Sequence, residues 1–277
     1  MLLYKMKSGV VVAHEEHFYA IDGAWGEIIN RKKLYDFLLN VLTRSKSLSS
    51  PGGTPLAPID QQEIWAAGVT YRRSKEARME ESKESGGANF YDKVYDAERP
   101  ELFFKALPHR VAGPNESVNI RRDSTWNVPE PELTLFINSD GNIQGYTIGN
   151  DMSSRSIEGE NPLYLPQAKI YDRSAALGPA LLVTEGPIAP ETMIRMEIRR
   201  NGKTVFSDGA PISRMKRSHT ELASYLFREC TFPHGCFLMT GTCVVPGNDF
   251  TLQPDDAVEI QIEGIGTLNN TVQLPKD

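Results

Sequence analysis

A strand-dominated α+β fold is predicted for this chain from three features. Short β-branched and aromatic segments recur along most of its length, polar turn signals separate several of them, and only 31–44, 72–84 and 218–227 carry helical character. At 277 residues, the chain fits one large domain or a main domain with a small appendage. That length buries a sizeable core without a disulfide or metal staple. Apolar residues at 40% and charged residues at 24% are ordinary globular values and exclude a disordered, collagenous or coiled-coil chain. With strands dominant, the expected architecture is sheet on sheet or a rolled mixed β-sheet.

Residues 2–5, 10–13 and 18–21 read as short strands between glycine and charged turns. Leu34, Phe37, Leu38, Val41 and Leu42 then repeat at helical spacing within 31–44. Ser, Pro and Gly crowd residues 45–60, which predicts a linker. The division that follows is a small N-terminal domain with its linker at 1–58 and a main domain at 59–277. Glu63–Gly68 reads as a buried strand. Residues 72–84 are highly charged, with Ala77 and Met79 the only apolar side chains, so a helix here has no stripe to bury. It reads as a solvated surface helix ending at the hinge-like Gly86-Gly87, with a lid over a site as the alternative. Further strands are expected at Glu101–Ala106, 127–138, 143–149, 177–183, 193–201, 237–244 and 258–263. Ser139-Asp140-Gly141-Asn142 and Asn201-Gly202 mark hairpin turns, and Pro129 and Pro131 predict a late start or an edge position for the second of these strands.

The formal net charge of −6 is a poor match for nucleic acid or an anionic membrane. Cys230, Cys236 and Cys243 are odd in number and lack C-x-x-C spacing, so neither a disulfide framework nor a zinc knuckle is indicated. The first residues lack the apolar run of a signal peptide and no segment reaches membrane-spanning length. A cytoplasmic protein is expected.

Chemistry concentrates at Glu130-Pro131-Glu132. Residues two apart on a strand share a face, so both carboxylates project together. The turn near Asp140 folds the chain back, and strict hairpin pairing returns Asp151 beside them. Converging carboxylates repel unless a cation joins them, and an all-oxygen ligand set suits Mg²⁺, Mn²⁺ or Ca²⁺ rather than Zn²⁺. The alternative is a polar cluster near a turn. Lys169 lies in a partly apolar segment and reads either as a balancing charge or as a snorkelling lysine. On their strand, Glu101, Phe103 and Lys105 share one face, which allows either a general acid/base or a surface ion pair.

Pro129-Glu130-Pro131-Glu132-Leu133, then Gly145-Tyr146-Thr147-Ile148-Gly149-Asn150-Asp151-Met152-Ser153-Ser154-Arg155, then Gln167-Ala168-Lys169, with Leu177-Gly178-Pro179 and Thr240-Gly241-Thr242 following, resemble the fumarylacetoacetate hydrolase superfamily. The resemblance spans residues from about 60 to the C-terminus. It implies a β-rich roll of mixed sheets, a homodimer or larger homo-oligomer, and Mg²⁺ or Mn²⁺ held by Glu130, Glu132 and Asp151 with Lys169 beside it. Residues 91–101, Phe103-Phe104-Lys105-Ala106 and 160–167 further resemble the superfamily's sugar-acid dehydratases. That implies catalytic roles for Glu101 and Lys169 and substrate contacts from Lys105, Arg155, Gln167 and Thr242.

One departure helps to choose a reaction. Hydrolytic members carry Tyr-x-x-His, where the His activates water; here the text is Tyr71-Arg72-Arg73-Ser74, and Ser74 alone is no base. Ser156 also stands where many members have an acid. The expected activity is therefore dehydration of a 2-keto-3-deoxy sugar acid. A 2-oxo acid chelates the metal, a C3 proton leaves to an enolate stabilised by the Lewis acid, and the C4 hydroxyl departs as water. The alternatives are carbon–carbon hydrolysis of an acylpyruvate-like acid and a metal-binding or oxo-acid-binding protein without catalysis.

Overall fold

The computed structural model describes residues 1–81 and 88–275. Three antiparallel strands open the chain: β1 (Leu2–Met6), β2 (Gly9–His14) and β3 (His17–Ile21). Helices α1 (Trp25–Ile29) and α2 (Leu34–Arg44) follow, then β4 (Glu63–Gly68), α3 (Arg72–Glu81), α4 (Ala88–Asp96) and β5 (Glu101–Ala106). The middle of the chain adds β6 (Val111–Ala112), β7 (Ser117–Asn119), β8 (Asn127–Val128), β9 (Pro131–Ile137), β10 (Ile143–Asp151), β11 (Ser153–Ser154), α5 (Arg155–Glu160) and α6 (Leu165–Lys169). Last come β12 (Ala175–Leu182), β13 (Met193–Arg200), β14 (Lys203–Pro211), α7 (His219–Leu226), β15 (Cys236–Thr242), β16 (Ala257–Ile262) and β17 (Gly266–Gln273).

The strands form a mixed ten-stranded sheet in the order β3-β2-β1-β12-β10-β9-β15-β4-β5, with β6 beside β12. A five-stranded sheet runs β14-β13-β16-β17-β7, and β8 pairs with β11 alone. Alternation along β9 explains the layers. Leu133, Leu135 and Ile137 face a core shared with Ile194, Met196, Ile260 and Ile262 of the smaller sheet. Phe136 faces the opposite core, with Phe237, Leu177 and the helix residues Ile28, Leu34 and Leu38. Leu34 and Leu38 are one helical turn apart and both fully buried, which accounts for α2. The N-terminal strands join the large sheet through β1 against β12, so residues of the first segment share that second core.

The β9–β10 hairpin positions the chemistry. Asn138 Oδ1 accepts the backbone N–H groups of Asp140 (3.2 Å) and Asn142 (2.9 Å), fixing the turn through its side chain. Pairing begins with Ile143 opposite Ile137 and then slips by one residue, so that Gly145 faces Phe136 and Gly149 faces Glu132. The bulge needs glycine: a Cβ at 145 would stand 2.8 Å from the Leu182 carbonyl oxygen. Beyond the last paired residues Asp151 N–H donates to the Glu130 carbonyl at 2.9 Å, placing the two acids side by side.

Several expectations change in detail. The strand expected over 127–138 is broken at Pro129 and Glu130, and its first two residues pair with β11 instead. β9 is a central strand between β10 and β15, with Pro131 tolerated as its first residue. β14 was not legible because it is an edge strand with nearly every residue exposed or half-exposed. The 72–84 segment is helical over Arg72–Glu81, and it is not a solvated helix throughout: Ser74 and Arg78 are buried. Gly86-Gly87, read as a hinge, lies outside the described residues.

Candidate metal centre and active site

Glu130, Glu132 and Asp151 each offer an oxygen such that the three atoms lie within 4.8 Å of one another, and all three residues are buried. Their cationic partners are unequally shared. Arg155 Nη2 donates to Glu130 Oε1 at 2.7 Å, and Lys169 Nζ donates to Glu130 Oε2 at 2.5 Å. Lys169 Nζ also reaches Asp151 Oδ2 at 3.1 Å and Ser153 Oγ at 2.6 Å. Glu132 receives the Gly241 backbone N–H at 2.6 Å, and no ion pair joins it to a lysine or arginine among the described residues.

This asymmetry sets the protonation chemistry. Burial holds the Glu132 carboxyl well above the ordinary carboxylate range, and the charges of Asp151 and Glu130 push the same way. Burial also raises Glu130, against the pull of Lys169. Burial alone would raise Asp151, but the Lys105 and Lys169 ammoniums outweigh it and hold that carboxyl below its usual value. Burial disfavours the Lys169 charge, yet Asp151 and Glu130 more than compensate and raise its pKa above the lysine range. Lys169 is thus a fixed cation in the resting site. Glu132 is the carboxylate that no described lysine or arginine ion-pairs, although Lys169 acts on it from nearby, and the clustered donors are oxygens only. That set fits a hard dication such as Mg²⁺ or Mn²⁺.

The surrounding pocket is walled by Gly68, Ser74, Arg78, Phe103, Arg155 and Thr242, together with the triad and Lys169. β5 brings Glu101 opposite Gly68. The Glu101 carboxyl lies across that glycine so closely that a Cβ there would run into it. One Glu101 oxygen is sealed from solvent without a hydrogen-bond partner. Burial raises the Glu101 pKa, opposed by the Arg78 charge, and a carboxyl so placed is suited to proton transfer. Phe103, on the same strand face, lies under the Lys169 ammonium, 5.7 Å from Nζ to the ring centre.

The sequence-derived substrate contacts separate. Arg155 and Thr242 line the pocket; Arg155 is held by its N–H bond to the Trp126 carbonyl at 2.8 Å. Lys105 is fully buried beneath the site. Its Nζ stands 2.6 Å from Asp151 Oδ1, 3.0 Å from the Met152 carbonyl and 2.5 Å from the Lys169 carbonyl. All three ammonium donors are therefore spent on the protein. Gln167 is exposed; its carbonyl accepts Arg121 Nη1 at 3.0 Å. Residues two apart on a helix face nearly opposite ways, so α6 turns Gln167 outward when it turns Lys169 inward. The pocket also uses residues that sequence reading did not single out. Arg78 of α3 pairs with Glu158 of α5, both buried, and Ser153 supports Lys169. A polar i, i+4 pair, Ser74 and Arg78, in a helix without an apolar stripe was the available signal.

The family described as fumarylacetoacetate (FAA) hydrolase C-terminal matches residues 63–273. This chain belongs to the fumarylacetoacetate hydrolase family. Within reach of that family it is 51% identical over 216 residues to a probable 2-keto-3-deoxyxylonate dehydratase of Haloferax volcanii, covering 78% of this chain and 73% of the relative. It is 44% identical over 218 residues to 2-dehydro-3-deoxy-D-arabinonate dehydratase of Saccharolobus solfataricus, covering 78% and 73%. The fold is similar to that of 2-keto-3-deoxy-D-arabinonate dehydratase solved in complex with magnesium and 2,5-dioxopentanoate. That comparison gives a TM-score of 0.82 at 32% identity and covers 100% of this chain and 99% of that one.

Proposed function

We propose that this protein is a Mg²⁺-dependent dehydratase of 2-keto-3-deoxy sugar acids. The observation that carries this reading is the buried carboxylate triad with Lys169 bonded to two of its members, in a chain 51% identical over 216 residues to a probable 2-keto-3-deoxyxylonate dehydratase. Glu130, Glu132 and Asp151 would hold the dication. When bound there it supplies Lewis-acid stabilisation of the negative charge that grows on a 2-oxo acid as its C3 proton leaves. Mn²⁺ suits the same ligands.

The chain's own groups divide the remaining work. Lys169 and Arg155 place fixed positive charge beside the triad, where a substrate carboxylate and a developing oxyanion gain from preorganised donors. Glu101, raised in pKa and with one oxygen sealed from solvent, would accept the C3 proton or return one to the departing C4 hydroxyl. Thr242 lines the same wall and offers a substrate contact. Lys105 is a positioning residue, orienting Asp151 from below. Loss of one water from a 2-keto-3-deoxypentonate, followed by tautomerisation, gives a 2,5-dioxo acid, the class of molecule bound in the related structure.

Hydrolysis lacks its base. Ser74 donates to the Tyr71 carbonyl at 2.7 Å and accepts the Tyr71 N–H at 3.2 Å, so it starts the helix instead of activating water. No histidine is among the described pocket residues. The three cysteines are unpaired, which accords with a cytoplasmic setting, and no described helix is long and apolar enough to cross a membrane.

The test incubates purified protein and Mg²⁺ with 2-keto-3-deoxy sugar acids and acylpyruvates and identifies products by mass. Loss of a single water, abolished by chelation and reduced about 10²–10⁴-fold in Glu101→Gln, is the expected result. Cleavage into two acids would sink the dehydratase reading.

A further inference from the structure

The Lys169 ammonium has three donors, and each finds an acceptor: Glu130 Oε2 at 2.5 Å, Asp151 Oδ2 at 3.1 Å and Ser153 Oγ at 2.6 Å. Two of these acceptors belong to the carboxylate triad. A dication held there competes with Lys169 for the same negative charge and repels the ammonium itself. The third acceptor is neutral and stands outside the triad. Ser153 is fully buried, and its backbone is fixed by pairing with Val128 in the β8–β11 ribbon. Its hydroxyl donates to the Asp151 carbonyl at 3.0 Å, which leaves the oxygen to accept.

We infer that Ser153 is the positioning residue that holds the Lys169 ammonium in place once a cation occupies the carboxylates. This deepens, and rests on, the reading of the triad as the metal centre of a 2-oxo acid enzyme. In the metal-free protein the Ser153 bond is the weakest in kind of the three, because the other two acceptors are charged. Loading the triad reverses that order: the charged acceptors are shared with the cation, and the hydroxyl is not. The start of the side chain is pinned separately, since the Lys169 carbonyl accepts Lys105 Nζ at 2.5 Å. Lys105 thus fixes where the side chain begins and Ser153 where its head stands. The Phe103 ring, 5.7 Å from Nζ, adds only a cation–π contact. Lys169 is buried and lines the pocket, so a head released from Ser153 would move into the space a substrate needs.

The test is a double-mutant cycle read by calorimetric Mg²⁺ binding, without substrate. Ser153→Ala is expected to weaken Mg²⁺ binding about tenfold, because loading then leaves a buried ammonium short of its neutral acceptor. In a Lys169→Met background the same change is expected to alter Mg²⁺ affinity by less than about twofold. A purely structural role for Ser153 would carry the full loss into that background. Unchanged affinity in Ser153→Ala, or a loss that persists without the lysine, would overturn the inference. Should a variant not fold, a crystal structure of the Mg²⁺-loaded wild-type protein decides. Lys169 Nζ is expected within hydrogen-bonding distance of Ser153 Oγ, and a separation above about 3.5 Å would overturn the inference. The expected affinity losses in a protein that dehydrates no 2-keto-3-deoxy acid would sink the dehydratase reading and leave the role of Ser153 standing.

Discussion

The two ends of the β9–β10 hairpin are built from the same two strands and behave oppositely. At the turn end, Gly141–Tyr146 border an open cavity of about 400 Å³, with His219, Thr220, Ala223 and Ser224 of α7 and the loop at 184–187 opposite. At the other end the space is far tighter, and three carboxylates, two lysines and an arginine interlock in the interior. Cavity size and chemical capacity thus part company here. The roomy end is lined by mostly neutral groups, two of them held by backbone donors: Gln144 Oε1 accepts the Leu34 N–H at 3.0 Å, and the Tyr146 hydroxyl accepts the Ile188 N–H at 3.3 Å. The tight end leaves Glu132 without an ion pair among the described residues and with its charge disfavoured by burial and by Asp151 and Glu130, which is the condition for binding a cation.

The largest expected effect tests that contrast directly. Asp151→Asn should lower kcat/KM at least about 10³-fold and weaken Mg²⁺ binding in calorimetry, because it removes charge from the ligand set. His219→Ala, at the roomy end, should change kcat/KM by less than about threefold. A large loss from the second change would move the chemistry to the wrong end of the hairpin.

Glu132→Gln separates function from stability. The folded Glu132 carboxyl is raised in pKa, so the native state binds more protons than the unfolded chain between the two values. Stability in the metal-free protein is therefore present at low pH and lost as pH rises through the folded pKa. The glutamine variant, which cannot ionise, should melt higher than wild type without metal, and the gap should widen as pH rises. It should also lose the Mg²⁺-induced rise in Tm. In wild type, protons compete with the ion, so Mg²⁺ affinity should fall as the solution is acidified, and binding should release protons. A melting gap independent of pH would show that Glu132 is charged in the metal-free protein and otherwise compensated.

The smallest effect belongs to Gln144→Ala. Losing its bond to the start of α2 should cost about 1 kcal/mol in denaturant unfolding and leave kcat/KM unchanged. Reduced activity would mean that the two ends of the hairpin are coupled through the bulge at Gly145.

Much of the site was legible because it is local. Glu130 and Glu132 are two residues apart, and Asp151 is returned to them by a single hairpin whose turn, Asn138 to Asn142, is written in side chains that form turns. The bulge at Gly145 shifted the register by one residue without separating the acids. The strands Glu63–Gly68 and Glu101–Ala106 were bounded correctly because their β-rich segments end at turn and charged residues. The small helices α5 and α6, six and five residues long, escaped because so short a span shows no period. The face of α6 that carries Gln167, exposed in the fold, was not legible for the same reason.

From its residues alone, this sequence determined a strand-rich α+β fold and an all-oxygen cluster suited to a hard cation; the absence of the hydrolytic histidine is legible only against the family that the chain resembles. The fold and the cluster follow from strand alternation, hairpin pairing and side-chain chemistry, all of which act over a few residues. Only the tertiary structure decided that Lys105 pairs with Asp151, that the Glu101 carboxyl lies across Gly68 of the pocket wall, and that Arg78 pairs with Glu158. Each of those contacts joins elements distant in the chain, and its charge is affordable in the interior only because packing brings the opposite charge or a missing side chain to the same place.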